Sequence, residues 1–506
     1  MKHDRASPPL RVRPDPRALR LLLALGAPCL VAASSASERP LTYADALRAA
    51  LSGNPSLVQA RAELAAAEGG LVSAKGAFDP TLNANLTSAY TRFETNMGYA
   101  TGDGWQRSQQ WQVGLGGFLP TGTIWSVDWN NDTRESRANY DFGAATIADR
   151  RQDAESTLTA TVTQPLLEGW RLSYNLQGVR GARRALDSAQ AAVAATRLEA
   201  VAQTARAYWN LDYQESLVDI AEQTLAVAEE ERRIVEAQVA VGRLPTLDLS
   251  RVEAAVVQAR SFLLDARNAR RAASDSLAIL LGESPGPLFV AVSGLFEPVA
   301  VDLDEARLTR VALEQSPSLI ALRVAVENAS EHVDNTRHAR LPQLDAVGSY
   351  GLDGYEEGLS EAVGEMAEHS LPRWYVGARF SAPLGNRADR GAFSQARANL
   401  ERSRSALSAA EASLEQAVRA QARLIESGVE KTRLAEANLR FAEATLTAEK
   451  ALQREGRVIQ KDLLEAERVL ADAKVSLVRA RMDHALAIVE LGRLQGRIEG
   501  VAAGNE

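Results

Sequence analysis

The sequence predicts a mainly α-helical, elongated chain with a smaller membrane-type β part, its plan of helix, strands and two long helices written twice. Three observations predict it. Very long stretches of good helix formers run almost free of glycine and proline. Before them lie segments with strict two-residue alternation, and these hold most of the aromatic residues. The second part of the chain also repeats landmarks of the first more than 200 residues on.

Residues 1–36 come first. Lys2, Arg5, Arg11, Arg13, Arg17 and Arg20 outweigh Asp4 and Asp15, an apolar stretch follows from Leu21 to Ala33, and Ser34-Ser35-Ala36 closes it. A basic start, a short apolar segment and a small-residue exit make a secretory signal peptide, removed after Ala36. The apolar stretch is too short to span a bilayer. Removing six positive and two negative charges takes the formal charge of the 506-residue chain from −8 to −12. That acidity argues against a nucleic-acid partner, which calls for a basic face. The one cysteine, Cys29, excludes a disulfide framework, and Pro28 before it is a poor match to a lipoprotein signal. No other apolar run is long enough for a transmembrane helix.

The duplication is read from short matches. Asn54-Pro55-Ser56-Leu57 lies over Ser316-Pro317-Ser318-Leu319 at an offset of 262. Val241-Gly242-Arg243 through Asp248-Leu249 lies over Glu455-Gly456-Arg457 through Asp462-Leu463 at an offset of 214. The fall in offset places an insertion between Pro80 and Pro165 of the first repeat. The expected division is 37–298 for the first repeat, 299–498 for the second and a short tail over 499–506.

In each repeat a first helix leads to strands, expected over about 80–166 and 342–383. Leu82, Ala84, Leu86 and Tyr90 alternate with Thr81, Asn83, Asn85 and Thr87. The same two-residue period recurs around Trp111–Leu119, Trp125–Trp129 and Leu158–Val162, and in the second repeat around Leu344–Tyr350 and Trp374–Phe380. Of 27 aromatics, 13 fall between Phe78 and Tyr174 and five between Tyr350 and Phe380, so they follow the strands and not the helices. That distribution fits the aromatic girdles of a transmembrane β-barrel, or a soluble antiparallel sheet with an aromatic core. Pro120-Thr121-Gly122 reads as a tight turn, and 95–106 and 133–155 as long polar outer loops.

The long helices follow, at about 175–241 and 246–281, then 388–455 and 457–491. Residues 182–241 hold neither glycine nor proline and would make a helix about 90 Å long. Val418, Ile425, Thr432, Leu439 and Leu446 recur every seven residues, a coiled-coil seam. No phosphate loop, zinc-protease helix, nucleophile elbow or dinucleotide turn occurs. Neither catalysis, a cofactor nor a metal is expected.

The signal segment, the duplicated plan and the doubled Gly-x5-Asp-Leu tip together resemble the TolC family of outer-membrane efflux channels, over roughly residues 40–498. The resemblance implies a homotrimer: a β-barrel in outer-membrane lipid continued by a periplasmic α-helical coiled-coil barrel. It also implies a passive exit duct for an efflux or type I secretion system, served by a periplasmic adaptor and an inner-membrane pump of RND, ABC or MFS type. A periplasmic coiled-coil scaffold and an autonomous porin are the competing readings. Family members contribute two strands per half, whereas the first repeat here shows four candidates. Three copies would then make either 18 strands or a 12-strand barrel with an extra hairpin above or beside it, and the second is preferred.

At the tip, Gly242 and Gly456 end helices, and Asp248 and Asp462 stand where a carboxylate caps the returning helix. By the resemblance, Asp462 and Glu465 form rings of acid around the axis, and Asp248 is tied to a basic residue of the neighbouring turn. The family's basic and tyrosine partners fall on Val458 and Gln453, leaving Arg243 and Arg457 as possible substitutes. Leu249 and Leu463 would offer apolar contacts to an adaptor or serve as coiled-coil core.

Overall fold

A computed structural model of the chain describes residues 38–96, 100–143, 145–292, 303–369, 371–454 and 460–497. In chain order the elements are β1 (Glu38–Leu41), α1 (Tyr43–Gly53), α2 (Pro55–Lys75), β2 (Thr81–Asn96), β3 (Thr101–Phe118), β4 (Ile124–Asp141) and β5 (Thr146–Pro165). Then come α3 (Leu172–Asn175), α4 (Gln177–Ala240), α5 (Thr246–Leu281), β6 (Leu288–Ala291), α6 (Glu305–Gln315) and α7 (Pro317–His338). The chain finishes with β7 (Gln343–Glu356), α8 (Leu359–Glu368), β8 (Leu371–Ser381), α9 (Arg387–Arg454) and α10 (Gln460–Leu494).

The helices form one layer. At the sheet end their order is α2–α4–α7–α9, and at the far end α5–α4–α10–α9. Punctuation in the sequence sets their lengths. Asn54 caps α2 by accepting the N–H of Ser56, and Pro55 and Pro317 open their helices at the position where a missing N–H costs nothing. Gly282 ends α5 with a φ of 80°. A Cβ there would lie 2.1 Å from the carbonyl oxygen of Gly53, so only glycine fits. Between the ends, β1 and β6 pair in parallel over the main core, where Tyr43 packs on Tyr208 and Trp209, and the Tyr208 hydroxyl donates to Leu41 O at 3.1 Å. In α9 the seven-residue seam is fully buried at Val418, Ile425 and Thr432. It turns half outward at Leu439 and Leu446 because a straight helix drifts about 20° per heptad.

The six long strands form a single antiparallel sheet in the order β2-β3-β4-β5-β7-β8, without a crossover. Over a band near the helices its register keeps each face chemically uniform across all six strands. One rung reads Leu82–Leu115–Val127–Ala160–Tyr350–Trp374, and the next on the same face Ala84–Val113–Trp129–Leu158–Leu352–Pro372. The rung between them, on the opposite face, reads Asn83–Gly114–Asp128–Thr159–Gly351–Arg373. The apolar face is bare: Leu86 is 81% and Trp374 74% exposed. Beyond this band α8 lies over the same face, Ala362 and Met366 seated against Gly354 and Ser156.

Two expectations are corrected here. The extra hairpin does not stand above or beside a four-stranded wall; β3 is hydrogen-bonded along its whole length to β4 and, through Gly116, to β2. The segments expected as outer loops, 95–106 and 133–155, are largely strand, and only residues 97–100 and 142–145 separate the hairpin arms. Both segments are polar on both faces, Arg107, Glu135 and Gln152 on one and Arg134, Asp153 and Ser108 on the other, so no alternation marks them. The tight turn stands as read: Gly122 has a φ of 84°, its N–H donates to Leu119 O, and Asn175 Nδ2 donates to Pro120 O at 3.1 Å. That last bond ties the hairpin to the helical layer.

Candidate functional site at the helical tip

The end of the helical layer farthest from the sheet holds the first of the two turns singled out in the sequence, with the end of α9 and the start of α10. In the first, the N–H of Gly242 donates to Val239 O and that of Arg243 to Gln238 O, both at 2.9 Å, with the φ of Gly242 at 73°. This paired closure is the glycine-dependent end of a helix. The second turn's Gly456 and Arg457 lie outside the described residues.

Asp248 does not cap its helix as expected. Helix α5 starts after Pro245 without a side-chain cap, and Asp248, in its first turn, pairs with Arg251 on its own helix at 3.0 Å. The acid still stands in the first turn, at the positive end of the helix dipole. Arg243 is exposed and makes no ion pair among the described residues of this one chain. Asp462 and Glu465, three residues apart in the first turns of α10, are both exposed. The two leucines part company. Leu249 is half-buried, whereas Leu463 is completely buried, so Leu463 is core and offers nothing to a partner.

Beside the turns, a groove of about 1120 Å³ opens between the α4–α5 hairpin and α10, with Leu446 of α9 at one end. Its walls carry Val227, Ala255 and Phe262 from one hairpin and Leu464, Glu465 and Arg468 from the other. The two hairpins are linked behind it by a polar cluster that sequence reasoning missed. Gln453 of α9 donates from Nε2 to Glu231 of α4 at 3.1 Å. Lys450 of α9 sits 3.6 Å from Glu467 of α10. Burial pushes the Glu467 carboxyl up, Lys450 pulls it down and Glu231 adds repulsion. One signal for Glu231 was available: it stands three residues after Ala228 and four before Val235, both buried, so a charge occupies the seam of α4. Farther from the tip, Lys474 donates to Gln223 at 2.8 Å, and Glu490 of α10 is held by Arg493 and by Arg206 of α4.

Among the described residues no group of histidine, cysteine and carboxylate side chains could hold a metal ion, and no helix is long and apolar enough to cross a membrane. What the geometry offers is a wall: a sheet apolar on one face and polar on the other, joined to long helices that end in a charged tip.

Comparison with known proteins agrees with that description. The model of the family described as outer membrane efflux protein matches residues 46–283 and 308–497. Among solved structures, CusC, studied for the changes that accompany folding and transmembrane channel formation, has a TM-score of 0.68 at 16% identity, covering 90% of this chain and 92% of its own. The CmeC outer membrane channel of Campylobacter jejuni gives 0.66 at 15% identity, covering 90% and 85%. The outer membrane protein VceC of Vibrio cholerae gives 0.64 at 18%, covering 90% and 97%. At such identities the likeness is one of fold. No curated protein sequence matches the chain. The family match, spanning most of the chain, is what decides: this protein belongs to the outer membrane efflux protein family.

Proposed function

We propose that three copies of the mature chain form a passive outer-membrane exit duct, the last stage of an efflux or type I secretion system. A periplasmic adaptor meets its helical tip, and an inner-membrane pump of RND, ABC or MFS type drives transport. The observation that carries this reading is that one chain is a wall with two unfinished edges. On one side lie β2, α2 and α5; on the other, β8 and α9. In lipid an open sheet edge leaves backbone groups without partners, so the sheet must close on something. The helical edges are unfinished too. Counting from the tip, α5 exposes Leu247, Val257 and Leu264, and α9 exposes Leu452, Phe441 and Leu434. The intervals are ten and seven residues on α5 and eleven and seven on α9, so the two ladders match level for level when α9 of one copy lies on α5 of the next. Head-to-tail contacts of this kind close into a ring when the rotation from copy to copy closes, here after three copies.

Inside such a ring Asp462 and Glu465 come near the axis in threefold copies. Rings of carboxylate favour cations and bind multivalent ones tightly enough to block. The gate is therefore the acid tip, with the Glu231–Gln453 and Lys450–Glu467 contacts holding the two hairpins of each copy together behind it. Leu249 and Arg243, exposed or half-exposed at the first turn, are the residues offered to an adaptor there. The test is conductance in planar bilayers. The native protein should show a small conductance blocked by multivalent cations, and Asp462→Ala with Glu465→Ala should raise it and relieve the block. Unchanged conductance and block in that double variant would remove the gate from these residues.

A further inference from the structure

We infer that the membrane wall of this duct has eighteen strands, with the β3–β4 hairpin embedded in lipid beside the other four, and that β8 of each copy joins β2 of the next. The inference rests on the three-copy reading above and adds to it where the copies meet and how wide the barrel is.

The sheet's register carries it. If the hairpin stood outside a twelve-strand barrel, β2 would pair with β5. Instead β3 and β4 separate them, and the apolar rungs run through all four strands unbroken. Val113 and Val127 thus share a face with Leu82 and Val376, while Gln112 and Asp128 share the other with Asn83 and Arg373. A hairpin bathed in water on both sides has no use for that segregation. A wall between lipid and an aqueous lumen requires it.

Closure fits as well. An even number of strands leaves β2 and β8 running in opposite directions, so β8 of one copy meets β2 of the next antiparallel, like every other pair in the sheet. The shortest strand of this sheet, β8 at 11 residues, is just long enough to cross the hydrocarbon core when tilted, as a spanning strand of about 9–11 residues does. Size then decides between the two barrels. At a spacing of about 4.8 Å and a tilt of about 40°, eighteen strands close at a radius of about 18 Å and twelve at about 12 Å. Four long helices per copy make a ring of twelve, and at about 8–10 Å between axes that ring has a radius of roughly 15–19 Å. The wider barrel therefore continues the helical tunnel without a step, and barrels of about this strand number leave an open aqueous channel. Selection by size falls to the helical tip and not to the outer mouth.

The test uses single cysteines at Gln112, Val113, Val127 and Asp128 in the full chain, reconstituted in phospholipid vesicles. Each is probed with a charged, water-soluble maleimide and, after bimane labelling, by quenching from brominated lipid. Trimer retention of each variant on an unheated gel is read in parallel. Val113→Cys and Val127→Cys should resist the charged reagent and be quenched by the lipid; Gln112→Cys and Asp128→Cys should do the reverse. If all four react from water within an intact trimer, the eighteen-strand wall is wrong and the three-copy reading stands. If no trimer forms in any variant or in the native protein, both fall. Should only a variant fail to assemble, strand counting in end-on cryo-electron images of the native protein decides, eighteen supporting the inference and twelve overturning it.

Discussion

Asp212 lies in the core between the helices, 7% exposed, and its Oδ2 accepts no hydrogen bond among the described residues. Burial pushes its carboxyl up to about 6. One turn on, Glu215 is pushed up to about 7, again by burial first; the N–H of Ala291 opposes this, and Asp212 adds repulsion. An acid whose folded pKa is raised holds its proton more tightly when folded than when unfolded. Its contribution to stability is therefore greatest below the ordinary carboxylate value of 3.8 and is lost as pH rises through 6 to 7. Asp212→Asn keeps the shape and removes the charge. Calorimetry on the detergent-solubilised protein should show the variant melting above the native chain at pH 7.5, with the gap narrowing at pH 5. A gap independent of pH would mean that the carboxylate is not desolvated. At this scale the sequence was legible only in part. Gly242 announced a helix end because its chemistry is local. Asp212, Glu231 and Glu467 announced little, because the burial of a charge depends on which helix lies across from it.

Helices and strands were read from period, and period reports what each face of an element touches. The glycine- and proline-free run 182–241 is helix to Ala240, and Leu82–Tyr90 alternates because one face is apolar and the other polar. Above the apolar band both faces of β3, β4 and β5 carry polar side chains, alternation vanishes, and the same strands looked like loops. The order of the strands was invisible for a related reason: pairing joins β5 to β7 across about 180 residues, and no local pattern encodes that. Between helices, the Glu231–Gln453 bond is the link most open to measurement. Glu231→Ala and Gln453→Ala should each loosen the tip, and the double variant should lose less than the two together by about 1 kcal/mol, the usual net worth of one hydrogen bond. Hydrogen exchange across 225–240 and 446–454 reads that coupling. Strict additivity would show that the two side chains do not work as a pair.

For the molecule as a whole, what matters is that neither edge of the wall is finished within one chain. The duplicated plan made this foreseeable, since two equivalent halves side by side still end in two edges, and the resemblance to known channels supplied three as the number of copies. The ladder of apolar side chains was not foreseeable, because nothing in the sequence says which half-exposed leucine lies at an edge. Phe441, 72% exposed on α9, would stand at the middle rung of the proposed contact, opposite Val257, 68% exposed on α5 of the next copy. Phe441→Asp sets a charge against that apolar residue, and pairing it would desolvate the carboxylate without a partner. Expression of this variant should give chains that reach the membrane fraction but run as monomers on an unheated gel. Normal assembly would show that the ladders do not meet.

The most direct measurement is the mass of the purified mature protein in detergent, read by native mass spectrometry or multi-angle light scattering. The account predicts a single species of three chains that requires detergent to stay in solution. A monomer that is soluble without detergent would contradict it.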